Sequence, residues 1–116
     1  MLPRGIGGSD DFVDVCTTLQ VPASGAHFVS ARGRDVMLTR GKDQQIIAFA
    51  GNCTHAFAPL KDGRIENGEV VCALHGARFD LATGRARSGG CPNLPRLAVR
   101  IEGRRVLVRP TPGPAR

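Results

Sequence analysis

Two short Cys/His pairs constrain this chain more than any other feature. They are Cys53-Thr54-His55 and Cys72-Ala73-Leu74-His75, with sixteen residues between His55 and Cys72. Each pair is compact enough for one tight loop, and two such loops can close around a single metal centre. Thiolate sulfur together with imidazole nitrogen suits iron and zinc. Cys53, His55, Cys72 and His75 are therefore the candidate metal and cofactor ligands, and no catalytic residue is assigned.

The segments around these loops read as strands. Phe12-Val13-Asp14-Val15-Cys16 alternates apolar and polar residues, the period of a half-buried strand. Residues 26–30 and 35–39 flank the turn signal Arg32-Gly33-Arg34, which predicts a hairpin. The β-branched run of residues 45–49 leads directly to Cys53, and residues 69–72 lead to the second pair. Residues 77–81 lead back out. Residues 97–101 and 105–108 are expected to form a closing hairpin around Glu102-Gly103. No segment sustains a helical period. The fold class is all-β: one small antiparallel domain, a barrel or sandwich of about eight to ten short strands. The expected divisions are a flexible lead-in over 1–11, the domain over 12–109 and a Pro-rich tail over 110–116.

Composition narrows the function classes. The longest apolar stretch is the five residues Ile46 to Ala50, far short of the roughly 20 a membrane helix needs. Residues 1–8 lack an apolar core of signal-peptide length, so a cytoplasmic protein without membrane association is expected. Four cysteines in such a compartment read as ligands or buried thiols rather than disulfides. Cys16, at an apolar strand position, reads as a buried thiol. Cys91 and His27 have no partner at ligand spacing and read as spectators. Gly5-Ile6-Gly7-Gly8 follows no strand and is no nucleotide fingerprint. The net charge of +6 comes wholly from residues 53–116, with eleven Lys/Arg against five Asp/Glu. A basic stripe without stacking aromatics points away from single-strand nucleic-acid binding. Arg96, Arg100, Arg104, Arg105 and Arg109 are the charges available to steer an acidic redox partner.

Three stretches extend the match beyond the ligands: residues 55–60, Cys72-Ala73-Leu74-His75-Gly76-Ala77-Arg78-Phe79-Asp80, and Leu81-Ala82-Thr83-Gly84. Together they resemble the cluster loops of Rieske-type 2Fe–2S ferredoxins, the ferredoxin components of bacterial ring-hydroxylating aromatic dioxygenase systems. Residues 89–95 resemble that family's proline loop. The resemblance implies a Rieske-type iron–sulfur fold, with a cluster-binding subdomain built on loops at about 53–61 and 72–79. It implies one 2Fe–2S cluster, with Cys53 and Cys72 on the buried iron and His55 and His75 on the outer one. It also implies a one-electron carrier between an NAD(P)H-dependent reductase and a terminal oxygenase, with no small-molecule substrate. Pro59, Leu60, Pro92 and Pro95 would shield the cluster and shape the docking face.

Charge counting gives that ligand set a consequence. A ferric core carries two positive charges, which two thiolates cancel and two neutral imidazoles leave unchanged. The oxidised site is neutral, so an added electron is easier to accept than at an all-Cys site. High-potential Rieske proteins carry an extra Cys in each loop and Ser and Tyr hydroxyls near the cluster. The matching positions here are Ala58, Leu74, Ala77 and Phe79, which implies the low-potential class. Phe57 stands where the family usually has Gly. Two other readings remain open at this level: a small Rieske subunit of a nitrite reductase-like complex, and a zinc-stapled nucleic-acid-binding module.

Overall fold

Three tight turns set the architecture. At Arg32-Gly33 and Asn67-Gly68 both central residues have positive φ, 52° and 78° in the first and 50° and 77° in the second. That is the type I′ geometry whose twist matches antiparallel strands. At Gly103-Arg104 only Gly103 is positive, at 63°, as in a type II′ turn. The computed structural model describes residues 11–54, 58–88 and 90–112. Most of the lead-in, His55 to Phe57, Gly89 and the last four residues lie outside that range.

Among the described residues, ten strands form three antiparallel sheets. They are β1 (Val13–Thr17), β2 (His27–Ala31), β3 (Arg34–Arg40), β4 (Ile46–Ala50), β5 (Arg64–Glu66), β6 (Glu69–Val71), β7 (Arg78–Asp80), β8 (Arg96–Leu97), β9 (Val99–Glu102) and β10 (Arg105–Val108). The sheet orders are β1-β10-β9, β2-β3-β4-β8 and β5-β6-β7. Among the described residues the only helices are two single 3-10 turns, Thr18–Gln20 and Leu60–Asp62. The all-β expectation holds.

The β2-β3-β4-β8 sheet is the middle layer, because both of its faces are buried. Val36, Leu38 and Ala48 pack on Val106, Val108 and Cys16 of the β1-β10-β9 sheet. Met37, Ile47 and Phe49 pack the other way, on Val70, Phe79, Leu81, Leu94 and both Cys53 and Cys72. This explains why β3 and β4 read as continuous apolar runs: a strand buried on both faces loses its alternation. Thr39 is the one polar side chain wholly buried among the described residues, and its hydroxyl donates to the Leu81 carbonyl at 2.6 Å. Replacing Thr39 by Val should lower stability by about 1–3 kcal/mol, since the carbonyl loses its partner inside the core. An unchanged chemical denaturation midpoint for Thr39→Val would show that water replaces the bond.

The expected closing hairpin is divided between two sheets. Leu97 pairs with Ala48 of β4, whereas Val99 pairs with Val108 of β10. The switch occurs at Ala98, whose carbonyl accepts the Arg109 N–H at 3.1 Å. Leu97, Val99 and Ile101 alternate cleanly, but alternation reports which face is buried and not which sheet a residue joins. Strand β5 lies outside the elements expected from the sequence, although Asn67-Gly68 is the strongest short-range hairpin signal.

Candidate metal centre

The two candidate loops repeat one local design. In each, the Cys N–H donates to the carbonyl five residues on: Cys53 to Ala58 and Cys72 to Ala77, both at 2.8 Å. The first loop is tied further by the Asn52–Pro59 bridge and by the Leu60 N–H donating to Gly51 at 2.9 Å. Gly51 in turn donates to Asp35 of β3 at 2.8 Å, so the loop is anchored on the middle sheet. The second loop spans from β6 to β7. There the Gly76 N–H reaches back to the Cys72 carbonyl at 3.1 Å.

These ties set the donors at different depths. Cys53 is 0% and Cys72 1% exposed, and both belong to one apolar cluster. Ala73 to Gly76, including His75, are exposed at the loop tip, and Leu74 is 46% exposed. His75 has φ 130°, a backbone region that side chains other than Gly rarely enter. His55 and Phe57 lie outside the described residues. Among the described residues no three His, Cys, Asp or Glu side chains close around one ion. A diiron unit divides four ligands between two irons, so such a grouping is not required of it.

The buried sulfurs fit a cationic cluster. Burial pushes the Cys72 thiol above its ordinary range; the Leu74 amide, 3.4 Å from the sulfur, works against the rise, and neighbouring Cys53 and then Cys91 add to it. A thiol buried like Cys72 ionises readily only where positive charge is supplied, as a metal centre does. The Leu74 amide is also a ready donor to a ligated sulfur.

A third segment holds the loops together. The Thr54 hydroxyl donates to the Pro92 carbonyl at 2.7 Å. Asn93 accepts the Ala86 N–H at 2.9 Å, and the Leu94 N–H donates to Gly84 at 2.8 Å. Cys91 is half-buried against the cluster containing Cys53 and Cys72. Pro92 and Pro95 are exposed, as a covering loop requires. Leu60, by contrast, is 1% exposed and belongs to the core, so it supports the loop from beneath and takes no part in a docking face. The Thr54 clip was missed because nothing local marks it; its partner lies 38 residues away.

Charge braces the second loop from the side. Arg78 donates to Glu66 at 2.8 Å and to Glu69 at 3.2 Å, and Arg87 reaches Glu69 at 3.3 Å. Hydrogen bonds from Arg64 and then Arg78 hold the Glu66 carboxyl below its usual range, and Arg105 does the same for Asp14. A carboxyl with a lowered folded pKa stabilises fully above its unfolded value, about 4.3 for Glu and 3.9 for Asp. That contribution is lost as pH falls through the folded value. Stability should therefore drop on acidification below about pH 4. The double variant Glu66→Gln, Asp14→Asn should show a shallower drop in melting temperature between neutral and acid pH; an equally steep one would exclude these pairs as the cause.

Residues 11–100 match the family model described as the Rieske [2Fe-2S] domain. The chain belongs to the Rieske family. This settles iron–sulfur over zinc, and the family's cofactor is one Rieske 2Fe–2S cluster. The Rieske domain is 32% identical over 101 residues to the naphthalene 1,2-dioxygenase system ferredoxin component of Pseudomonas aeruginosa, covering 86% of this chain and 96% of the relative. It is 35% identical over 99 residues to the biphenyl dioxygenase ferredoxin subunit of Pseudomonas sp. strain KKS102, covering 84% and 90%. Its structure is similar to the ferredoxin of carbazole 1,9a-dioxygenase from Nocardioides aromaticivorans IC177. There the TM-score is 0.69 at 30% identity, covering 86% of this chain and 98% of that one. Among the described residues of this Rieske domain, no helix is long and apolar enough to cross a membrane.

Proposed function

We propose that this Rieske domain is a one-electron carrier of an aromatic-ring dioxygenase system, with Cys53, Cys72, His55 and His75 as its four ligands. It would take electrons from an NAD(P)H-dependent reductase and pass them to a terminal oxygenase, in the cytoplasm. The observation that carries the reading is the contrast in depth between two buried sulfurs and an exposed tip at residues 73–76. When bound, the cluster supplies a centre that accepts and returns single electrons.

The protein's own residues do the rest. Leu60, Phe79, Leu81 and Leu94 keep water from the sulfurs. Leu74 and the exposed prolines offer a small apolar rim for brief contact, as suits weak redox encounters. Ala77 and Phe79 are buried and carry no hydroxyl, which supports a low-potential centre. Relatives matched along nearly their whole length are named as ferredoxin components, which favours a carrier over a small subunit of a nitrite reductase-like complex. Strands running from Val13 to Val108 support a domain bounded at 12 and 109.

The test combines three measurements. Anaerobic protein should contain iron and acid-labile sulfide, and after dithionite reduction should give the electron paramagnetic resonance signal of mixed Cys/His ligation. Its midpoint should lie below about +100 mV. It should accelerate electron flow from NADH through a dioxygenase-system reductase to a terminal oxygenase. A midpoint well above that value would remove the low-potential assignment, and absence of coupled turnover with such partners would remove the carrier role.

A further inference from the structure

Between the start of β4 and the segment from β8 to β9 lies a groove of about 770 Å³. It opens where the chain switches sheets at Ala98. Its floor is apolar, formed by Ile46, Val99 and Ile101 among others, and Arg40, Arg96 and Arg109 stand around it. None of the twelve described residues that line it is acidic.

The three guanidiniums have no carboxylate partner among the described residues. Arg40 donates only to neutral carbonyls: Val21 at 3.0 Å, Gln44 at 2.9 Å and Thr18 at 2.8 Å. Arg96 lies over the Phe49 ring and Arg109 over Phe12. The Arg109 Nε is buried and finds no acceptor among the described residues. A buried charged donor without an acceptor is costly. By contrast, Arg105 is already spoken for by Asp14 at 2.6 Å.

The backbone is open here as well. β8 pairs with β4 only at Ala48 and Phe49, leaving the β4 edge at Ile46 and Ile47 without a strand neighbour. Across the groove, β9 is the edge strand of its own sheet. Ile46 and Ile47 of β4 and Val99 and Ile101 of β9, from two edges without a strand partner among the described residues, thus line one cleft with an apolar floor and cationic walls. Free edges favour an extended backbone, an apolar floor favours alternate apolar side chains, and the arginines favour acidic ones between them.

We propose that this groove binds an extended segment of a partner protein in which acidic and apolar residues alternate. Ile46, on the groove's floor, starts β4, about 13 Å along the strand from the Ala50 end that leads to Cys53. A partner held there would leave the loop tip free. The proposal goes beyond the carrier role and does not depend on which protein receives the electron.

The test uses the full-length holoprotein, isotopically labelled, and a fluorescent peptide of alternating Glu and Val about eight residues long. Amide shifts should centre on residues 45–47 and 98–101, and raising salt from about 0.05 M to about 0.3 M should weaken binding several-fold. Arg96→Gln with Arg109→Gln should weaken binding about ten-fold or more while leaving the cluster's spectrum and midpoint unchanged. Ile101→Asp, at a position 46% exposed, places an anion on the floor without disturbing the core and should do the same. The proposal is overturned if shifts centre on residues 73–76, if either variant binds as well as the parent, or if a control peptide of alternating Lys and Val binds equally. Equal or tighter binding of inorganic phosphate would mean an anion site only, and tighter binding of a single-stranded oligonucleotide would mean a nucleic-acid face; either overturns it too.

Discussion

Replacing His75 by Ala should yield a protein that folds but holds no Rieske cluster. The expected result is near-complete loss of visible absorption and of the reduced-state paramagnetic signal, with iron and sulfide falling together. On the proposed ligand set the outer iron would have two imidazoles as its protein donors, and removing one would leave an exposed position open to water or thiol. Folding should survive, because His75 is exposed and contributes nothing to either core cluster. The backbone supplies an independent check. At φ 130° a side chain costs roughly 1–3 kcal/mol that Gly largely avoids. His75→Gly, equally devoid of cluster, should therefore melt higher than His75→Ala. Retention of the parent spectrum by both variants would remove His75 from the ligand set.

The second large effect should come from Gly63→Ala, which touches no ligand. Gly63 ends the 3-10 turn Leu60–Asp62, donating to the Leu60 carbonyl at 2.9 Å. Its φ is −90°, so conformational freedom is not the issue; space is. A Cβ there would sit 2.0 Å from the Val71 carbonyl oxygen and 3.3 Å from the Ala73 nitrogen. Both are backbone atoms flanking Cys72, so no rotamer change relieves the clash. Either the first loop or the second must move, and the two sulfurs move apart with it. A loss of at least about 3 kcal/mol is expected, at the upper end of overpacking effects, with poor cluster incorporation. Gly68→Ala is the matched control: no atom lies within 4 Å of its added Cβ, so only the strain of its positive φ is felt. If Gly63→Ala proved no worse than Gly68→Ala, the close approach of the two loops would not be the constraint described.

Much of the site was legible because its logic is local. Cys53 and Cys72 each need only a five-residue loop, and the spacing of the donors within that loop is written in consecutive residues. The Arg32-Gly33 turn was legible for the same reason, since positive φ at two successive residues selects a few residue types. Asn67-Gly68 was equally open to reading and was passed over, which hid β5. Leu60 was read as part of a docking face because it adjoins Pro59. Its burial comes from a core cluster that includes Met37, Val70 and Leu94, which no nearby residue announces.

What the sequence determined by itself was chemistry and period: two thiols and two imidazoles at fixed spacing, turns with Gly at positive φ, and strands with one or both faces apolar. What only the tertiary structure decided was pairing: which sheet Leu97 and Val99 join, which carbonyl the Thr54 and Thr39 hydroxyls meet, and how little room separates Gly63 from Val71. The physical reason is range. Ligand type and backbone preference act within a few residues, whereas contact and exposure depend on segments that meet only after the chain has folded.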